Sequence, residues 1–133
     1  MNRFFVSSAA LLGALSVALG AFGAHKLREL LPPDSAAVFE TGVRYQFYHA
    51  LALLFIGISF NSFPKKLVCW SGRCLLAGIL LFSGSLYVLT FLRLMDNSSL
   101  ISLFGILTPI GGLLFIAGWL LLFFAAARKK EIG

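Results

Sequence analysis

Apolar residues fall in four long runs, and charged residues gather in the short stretches between them. The first run, Phe4 to Ala24, has 21 residues, about 31 Å as a helix, which matches the hydrocarbon core of a bilayer. Arg3 precedes it and His25-Lys26-Leu27-Arg28 closes it. The second runs from about Phe47 to Phe63 and stops at Pro64-Lys65-Lys66; its 17 residues are near the lower limit for a span, which puts His49 just inside the outer rim. In the third, Arg73 and Arg93 bracket 19 uncharged residues, Cys74 to Leu92. The fourth, Leu100 to Ala127, has 28 residues, and its excess length is expected to be absorbed by an interfacial first turn and a bend at Pro109. Asp96-Asn97-Ser98-Ser99 supplies the turn before it and candidate N-caps.

Between the first two runs lies the one sizeable loop. Leu31-Pro32-Pro33 breaks the chain, and Asp34-Ser35 can cap a new helix beginning near Ala36. Phe39, Val43 and Phe47 recur at i, i+4 and i+8, and Glu40 and Arg44 form an i, i+4 pair in the favoured order. This predicts a short amphipathic helix, residues 35–46, lying on the outer surface and turning into the second span. The fold class expected is therefore all-α: an integral membrane four-helix bundle in a single domain, residues 1–133, with spans near 4–24, 47–63, 74–92 and 100–127 and one interfacial helix.

Composition narrows the classes. The chain is 59% hydrophobic and 12% charged, where a soluble domain is nearer half apolar and a quarter charged. The net charge of +6 is not a nucleic-acid signature, because the basic residues occupy the inter-run stretches rather than a soluble stripe with interleaved aromatics. The lipid bilayer is the partner this pattern selects. A cleaved leader ending near Ala21-Phe22-Gly23 is disfavoured, since the apolar run exceeds the usual signal core. Lys and Arg favour the side carrying Arg3, Lys65, Lys66, Arg73, Arg128, Lys129 and Lys130 over that carrying Lys26, Arg28, Arg44 and Arg93, so both termini are expected in the cytoplasm. Cys69 and Cys74 then lie at a reducing end, at a spacing that suits neither a zinc site nor one helical face.

Small residues recur at helical spacing: Ala9, Gly13, Ser16, Gly20 and Gly23 on the first span, and Gly105, Gly112 and Trp119 on the fourth, with Gly111 and Gly118 beside them. Such faces let helix backbones approach closely in lipid. Gly13, Gly20, Gly23, Gly84, Gly111, Gly112 and Gly118 are accordingly expected at helix contacts.

Each span also carries a motif: Gly20-Ala21-Phe22-Gly23-Ala24-His25, Thr41-Gly42-Val43-Arg44-Tyr45-Gln46-Phe47-Tyr48-His49, Leu81-Phe82-Ser83-Gly84-Ser85-Leu86-Tyr87, and Thr108-Pro109-Ile110-Gly111-Gly112 followed by Phe115-Ile116-Ala117-Gly118-Trp119. In this order, over nearly the whole chain, the set resembles the YgdD/YwdK family of bacterial inner-membrane proteins, domain of unknown function 423, with eukaryotic relatives similar to transmembrane protein 256. Arg44 departs from the pattern, which has an acidic or other polar residue there in some members. The resemblance implies a four-span fold in the plasma membrane and no particular reaction.

An ionisable group inside a span is a functional hypothesis by default, which singles out His49. Thr41, Tyr45 and His49 share a face at i, i+4 and i+8, with Gln46 beside them; His25, Glu40 and Arg44 complete a polar cluster expected at the outer side. The favoured role is a structural latch, in which His49 ties two helices through a hydrogen bond. A haem or metal site would use His25 and His49, with Glu40 as a third ligand; a quinone or lipid-headgroup pocket would use Arg44, Tyr45, Tyr48 and His49. A proton relay would need Ser83, Ser85, Tyr87 or Thr90 to continue from His49. No catalytic constellation is recognisable, so neither an enzyme, a resident cofactor nor a metal is expected. Two function classes follow. One is a structural or accessory component that packs on another membrane protein or on its own copies. The other is a small binder or carrier of an amphiphile near His49.

Overall fold

Backbone polar groups in hydrocarbon have no water to bond, so apolar runs of this length satisfy themselves internally as helices. In the computed structural model, which describes residues 1–96 and 99–128, they form α1 (Arg3–Leu30), α2 (Pro33–Ser62), α3 (Lys65–Leu94) and α4 (Ile101–Ala127), each long and apolar enough to cross a membrane. No strand occurs among the described residues.

The helices outrun the apolar runs because hydropathy marks the slab and not the last hydrogen-bonded turn. α1 continues past Ala24 through a π turn at Gly23–Leu27, and α3 starts two turns before Cys74, directly after Pro64. Asn2 caps α1 through its side-chain oxygen, which accepts from the Phe5 amide at 3.2 Å. The second helix begins earlier than the Asp34-Ser35 capping signal suggests, because Pro33 occupies the first helical turn with its φ already set. α4 stays helical through Pro109. The turn before it places Asp96 at φ 53°, a left-handed conformation that Asp tolerates. Leu100 precedes α4 without a side-chain cap; the Asn97 and Ser98 capping candidates lie outside the described residues, as do Lys129 and Lys130 of the orientation count.

The expected interfacial helix is not a separate element. Residues 35–46 are the first half of α2, which runs from Pro33 without a break. The apolar stripe is divided, with Phe39 buried within the bundle and Phe47 exposed. Phe39 is 1% exposed and packs with Leu27, Leu31 and Ala36 in a small core at this end, backed by Val43 and Tyr87. Gly23 makes this possible: a Cβ there would lie 2.8 Å from the Phe39 ring. The Glu40–Arg44 pair is also replaced, since the Glu40 carboxylate binds Arg28 of α1 at 3.1 Å.

α2 runs antiparallel to α1, with the Asn2 amide donating to the Gly57 carbonyl at 2.7 Å at one end and Gly23 against Phe39 at the other. α1 packs chiefly on α2 and α4 on α3, so α2 and α3 form the inner pair. The main core draws Phe5, Leu53, Ile56, Val68, Leu75, Ile79 and Phe115 from all four helices.

The glycines divide sharply. A side chain at Gly111 would run into the Phe82 backbone, one at Gly118 into Leu75, and one at Gly20 would only touch Val43. Gly13 and Gly84, by contrast, have nothing within 4 Å of a Cβ, and Gly112 only ordinary contact with Phe82. The packing role expected for these three does not hold within one chain. On α4 the buried face is Gly111, Phe115, Gly118 and Ala125, one position round from the expected Gly105, Gly112 and Trp119 stripe. Gly42, Gly57, Gly72 and Gly78 are the close approaches that the spacing argument missed.

Candidate functional site

Each exposed hydroxyl or amide in a span needs a partner, because lipid offers none. Gln46 meets this demand fully. Its amide Nε2 donates to the Leu12 carbonyl of α1 at 2.9 Å, and its Oε1 accepts from the Tyr87 hydroxyl of α3 at 2.8 Å. The neighbouring contacts follow the same rule: Ser83 Oγ donates to the Gly42 carbonyl at 2.7 Å, Ser71 Oγ to the Gly118 carbonyl at 2.7 Å, and Ser85 and Thr108 share a hydrogen bond of 2.6 Å. Together they tie α2 to α1 and α3, and α3 to α4.

His49, one turn further along α2, is 6% exposed but differently placed. Its Nδ1 donates to the Tyr45 carbonyl of its own helix at 2.6 Å. Its ring stacks on Phe115 of α4 with centroids 3.5 Å apart and planes 8° apart. With Nδ1 carrying the proton, Nε2 of the neutral ring is a hydrogen-bond acceptor, and among the described residues it has no protein partner. The interhelix latch is therefore Gln46, and His49 is held by stacking. His49 lies near the middle of the 30-residue α2, opposite Phe115, which itself fills the notch left by Gly78. The helix extends well beyond the apolar run toward Pro33.

Beside His49 a lateral groove of ≈ 610 Å³ opens between α2 and α4, walled by Tyr45, Phe82, Phe115 and Trp119 with Pro109, Gly112, Leu113 and Ile116 along its α4 side. Its lining contains one ionisable ring nitrogen pair and no Asp, Glu, Lys or Arg. Phe82 belongs to a π turn at Ile79–Ser83 in α3, the segment that Gly111 lets approach so closely. The aromatic wall was not legible from spacing, since Phe82, Phe115 and Trp119 look like ordinary span residues.

The rest of the expected polar cluster is dispersed. Thr41 bonds back to the Ala37 carbonyl at 2.9 Å. Arg44 and Tyr48 are exposed and outside the groove. Glu40 and Arg44 instead border a shallow pocket of ≈ 260 Å³ near Gly20, Gly23 and Phe39. His25 is exposed on the π turn of α1. Since Gly23 meets Phe39, the level of His25 is at least about 15 Å along α2 from His49. The two histidines are not brought together, so the bis-His site has no geometry to rest on. Among the described residues no three His, Cys, Asp or Glu side chains gather. Ser83, Ser85, Tyr87 and Thr90 bond elsewhere and form no relay from His49.

With this geometry in place, likeness to known proteins decides the family. The family model described as protein of unknown function (DUF423) matches residues 19–112. The chain belongs to the DUF423 family. It is 38% identical over 132 residues to the UPF0382 inner membrane protein YgdD of Escherichia coli K12, covering 99% of this chain and 95% of that one. It is 43% identical over 120 residues to a UPF0382 membrane protein of Staphylococcus haemolyticus, covering 90% and 92%. No solved structure matches. This family member is thus a membrane protein with four apolar helices, and the matched segment holds Gln46, His49 and the groove residues Tyr45, Phe82, Pro109 and Gly112.

Proposed function

We propose that this DUF423 protein is a non-catalytic accessory component of the bacterial inner membrane that holds an uncharged amphiphile in the lateral groove beside His49. The observation that carries it is the groove itself. Among the described residues no buried polar side-chain atom lacks a partner, and the His49 Nε2, which has no protein partner, stands open to a cavity of ≈ 610 Å³, a size typical of small-molecule sites. Its walls are apolar and its mouth is lateral, which suits a ligand arriving from the bilayer rather than from water. Purification from native membranes in polymer discs, followed by extraction and mass spectrometry, tests it. A stoichiometric neutral amphiphile should accompany the parent protein and be lost from Gly112→Leu, whose side chain fills the groove. Equal lipid content in both would remove the groove as a binding site.

A structural role toward a protein partner or a second copy is favoured by a different observation, the bare Gly13 and Gly84 surfaces with nothing within 4 Å. Cysteine cross-linking from Gly13 in native membranes tests this; no adduct at any spacer length argues against it. The orientation that accompanies either role has both termini in the cytoplasm, supported by Lys65, Lys66 and Arg128 lying at the same end as Arg3. A reporter fused to the C-terminus should be active only inside.

A further inference from the structure

Resting on the groove assignment above, we infer that the occupant is a ring compound of the quinone–quinol class with an apolar tail, its ring against the Tyr45–Phe115–Trp119 wall and, in the quinol form, a ring hydroxyl donating to His49 Nε2. Three observations select this chemistry. The first is depth and charge. His49 is half-way along α2, and no cationic or anionic side chain lines the groove. A phosphate or carboxylate head would be buried there without a counter-charge, which membranes penalise heavily, so glycerophospholipid heads and fatty acids are disfavoured and a neutral head that resides within the hydrocarbon is required.

The second is hydrogen-bond complementarity. His49 Nε2 accepts, while the Tyr45 hydroxyl and the Trp119 indole N–H, both on the groove wall, have no hydrogen-bond partner among the described residues. A ligand that offers a hydroxyl to the imidazole and an oxygen acceptor to Tyr45 or Trp119 satisfies the set; a hydroxyl-bearing ring with a second oxygen does so, and a simple alcohol uses only part of it. The third is shape. Four aromatic side chains form one side of the groove, with Tyr45 and Phe82 centroids 4.7 Å apart and Trp119 edge-on to the His49 ring at 6.2 Å. Such walls favour a flat ring over a saturated chain, and the aliphatic Leu113 and Ile116, both open to the outside, give the tail its exit.

Trp119 makes the test direct. The chain has two tryptophans, so Trp70→Phe leaves Trp119 as sole reporter. In nanodiscs of phosphatidylethanolamine and phosphatidylglycerol, decylubiquinone, whose carbonyl can accept from Tyr45 or Trp119, should quench this fluorescence with a saturable component above the linear quenching due to partitioning. Decylubiquinol, kept reduced, should displace the quinone, binding about tenfold more tightly because its hydroxyl also donates to His49 Nε2. Dodecanol in tenfold excess should not displace the quinone. His49→Phe, which keeps the stacked ring and removes the acceptor, should abolish the tenfold advantage of the quinol, and Gly112→Leu should abolish the saturable component. Ile116→Trp in the Trp70→Phe, Trp119→Phe background gives the same readout if Gly112→Leu fails to fold. Only linear quenching overturns the inference. If dodecanol displaces the quinone, or His49→Phe binds the quinol as well as the parent does, the groove holds amphiphiles generally and the ring class is wrong. If neither probe saturates and no amphiphile co-purifies, the groove assignment itself falls.

Discussion

Gln46 and His49 lie three residues apart on α2 and are almost equally buried, at 4% and 6% exposure, yet the protein treats them in opposite ways. Gln46 faces α1 and α3, where both ends of its amide are bonded across helices. His49 faces α4, where it stacks on Phe115 and keeps one nitrogen without a protein partner at the edge of a groove. The Gln46 side is closed by glycine notches and hydroxyl–carbonyl bonds; the His49 side is closed by aromatic rings around a void. In a bilayer the first arrangement holds helices together, because an unbonded amide has nothing else to turn to. The second leaves bonding capacity unused, which is what a ligand site needs and a scaffold does not.

The largest expected effect comes from filling one notch on each side. Gly42→Leu sets a side chain against Tyr87 and Leu86, where even a Cβ would lie 2.9 Å from the tyrosine ring. It should destabilise by about 3 kcal/mol or fail to fold, the upper range for overpacking. Gly112→Leu meets only Phe82 at 3.9 Å and should change stability by less than about 0.5 kcal/mol. Thermal unfolding of both in one detergent checks this; similar losses would mean that the groove face is packed like the clamp face.

Next come the polar residues themselves. Interhelix hydrogen bonds in membranes average about 0.6 kcal/mol with a maximum near 1.7, so Gln46→Leu, which removes two, should destabilise by about 1–2 kcal/mol. His49→Phe keeps the ring against Phe115 and should stay within about 0.5 kcal/mol. Chemical unfolding in mixed micelles would reverse the comparison if His49→Phe were the more damaging. Tyr87→Phe removes one of the two Gln46 bonds and should account for about 0.6 kcal/mol. A double-mutant cycle with Gln46→Leu should return a coupling of that size, and additivity would show that the two side chains act independently.

The smallest effect is expected at the Arg28–Glu40 end. The Arg28–Glu40 pair is 65% and 40% exposed, so solvent screens it, and Glu40→Gln should shift stability by less than about 0.5 kcal/mol. That difference should shrink further at high salt. A large salt-insensitive loss would show that this end is held as firmly as the Gln46 clamp.

The four spans, the break at Leu31-Pro32, the all-helical class and the family were all legible in the sequence, because each is written locally: in the length of an apolar run, a proline, or an ordered set of motifs. His49 stands out in the sequence as an ionisable group within an apolar run, but its stacking on Phe115 and the groove beside it do not. Which face of each helix turns inward was not legible. In a soluble helix the polar side marks the outside, but here Leu113 facing lipid and Phe115 facing His49 are equally apolar, so the pattern carries little contrast between them. Hence Gly13 and Gly84 were taken for contacts while Gly42 and Gly78 were passed over, and hence Glu40 was paired along its own helix instead of across to Arg28. Only the packing of α2 between α1, α3 and α4 decided that Gln46 became the latch. It also decided that His49 kept a free nitrogen, since hydrogen-bond satisfaction depends on neighbours that the chain brings from 34 to 41 residues away.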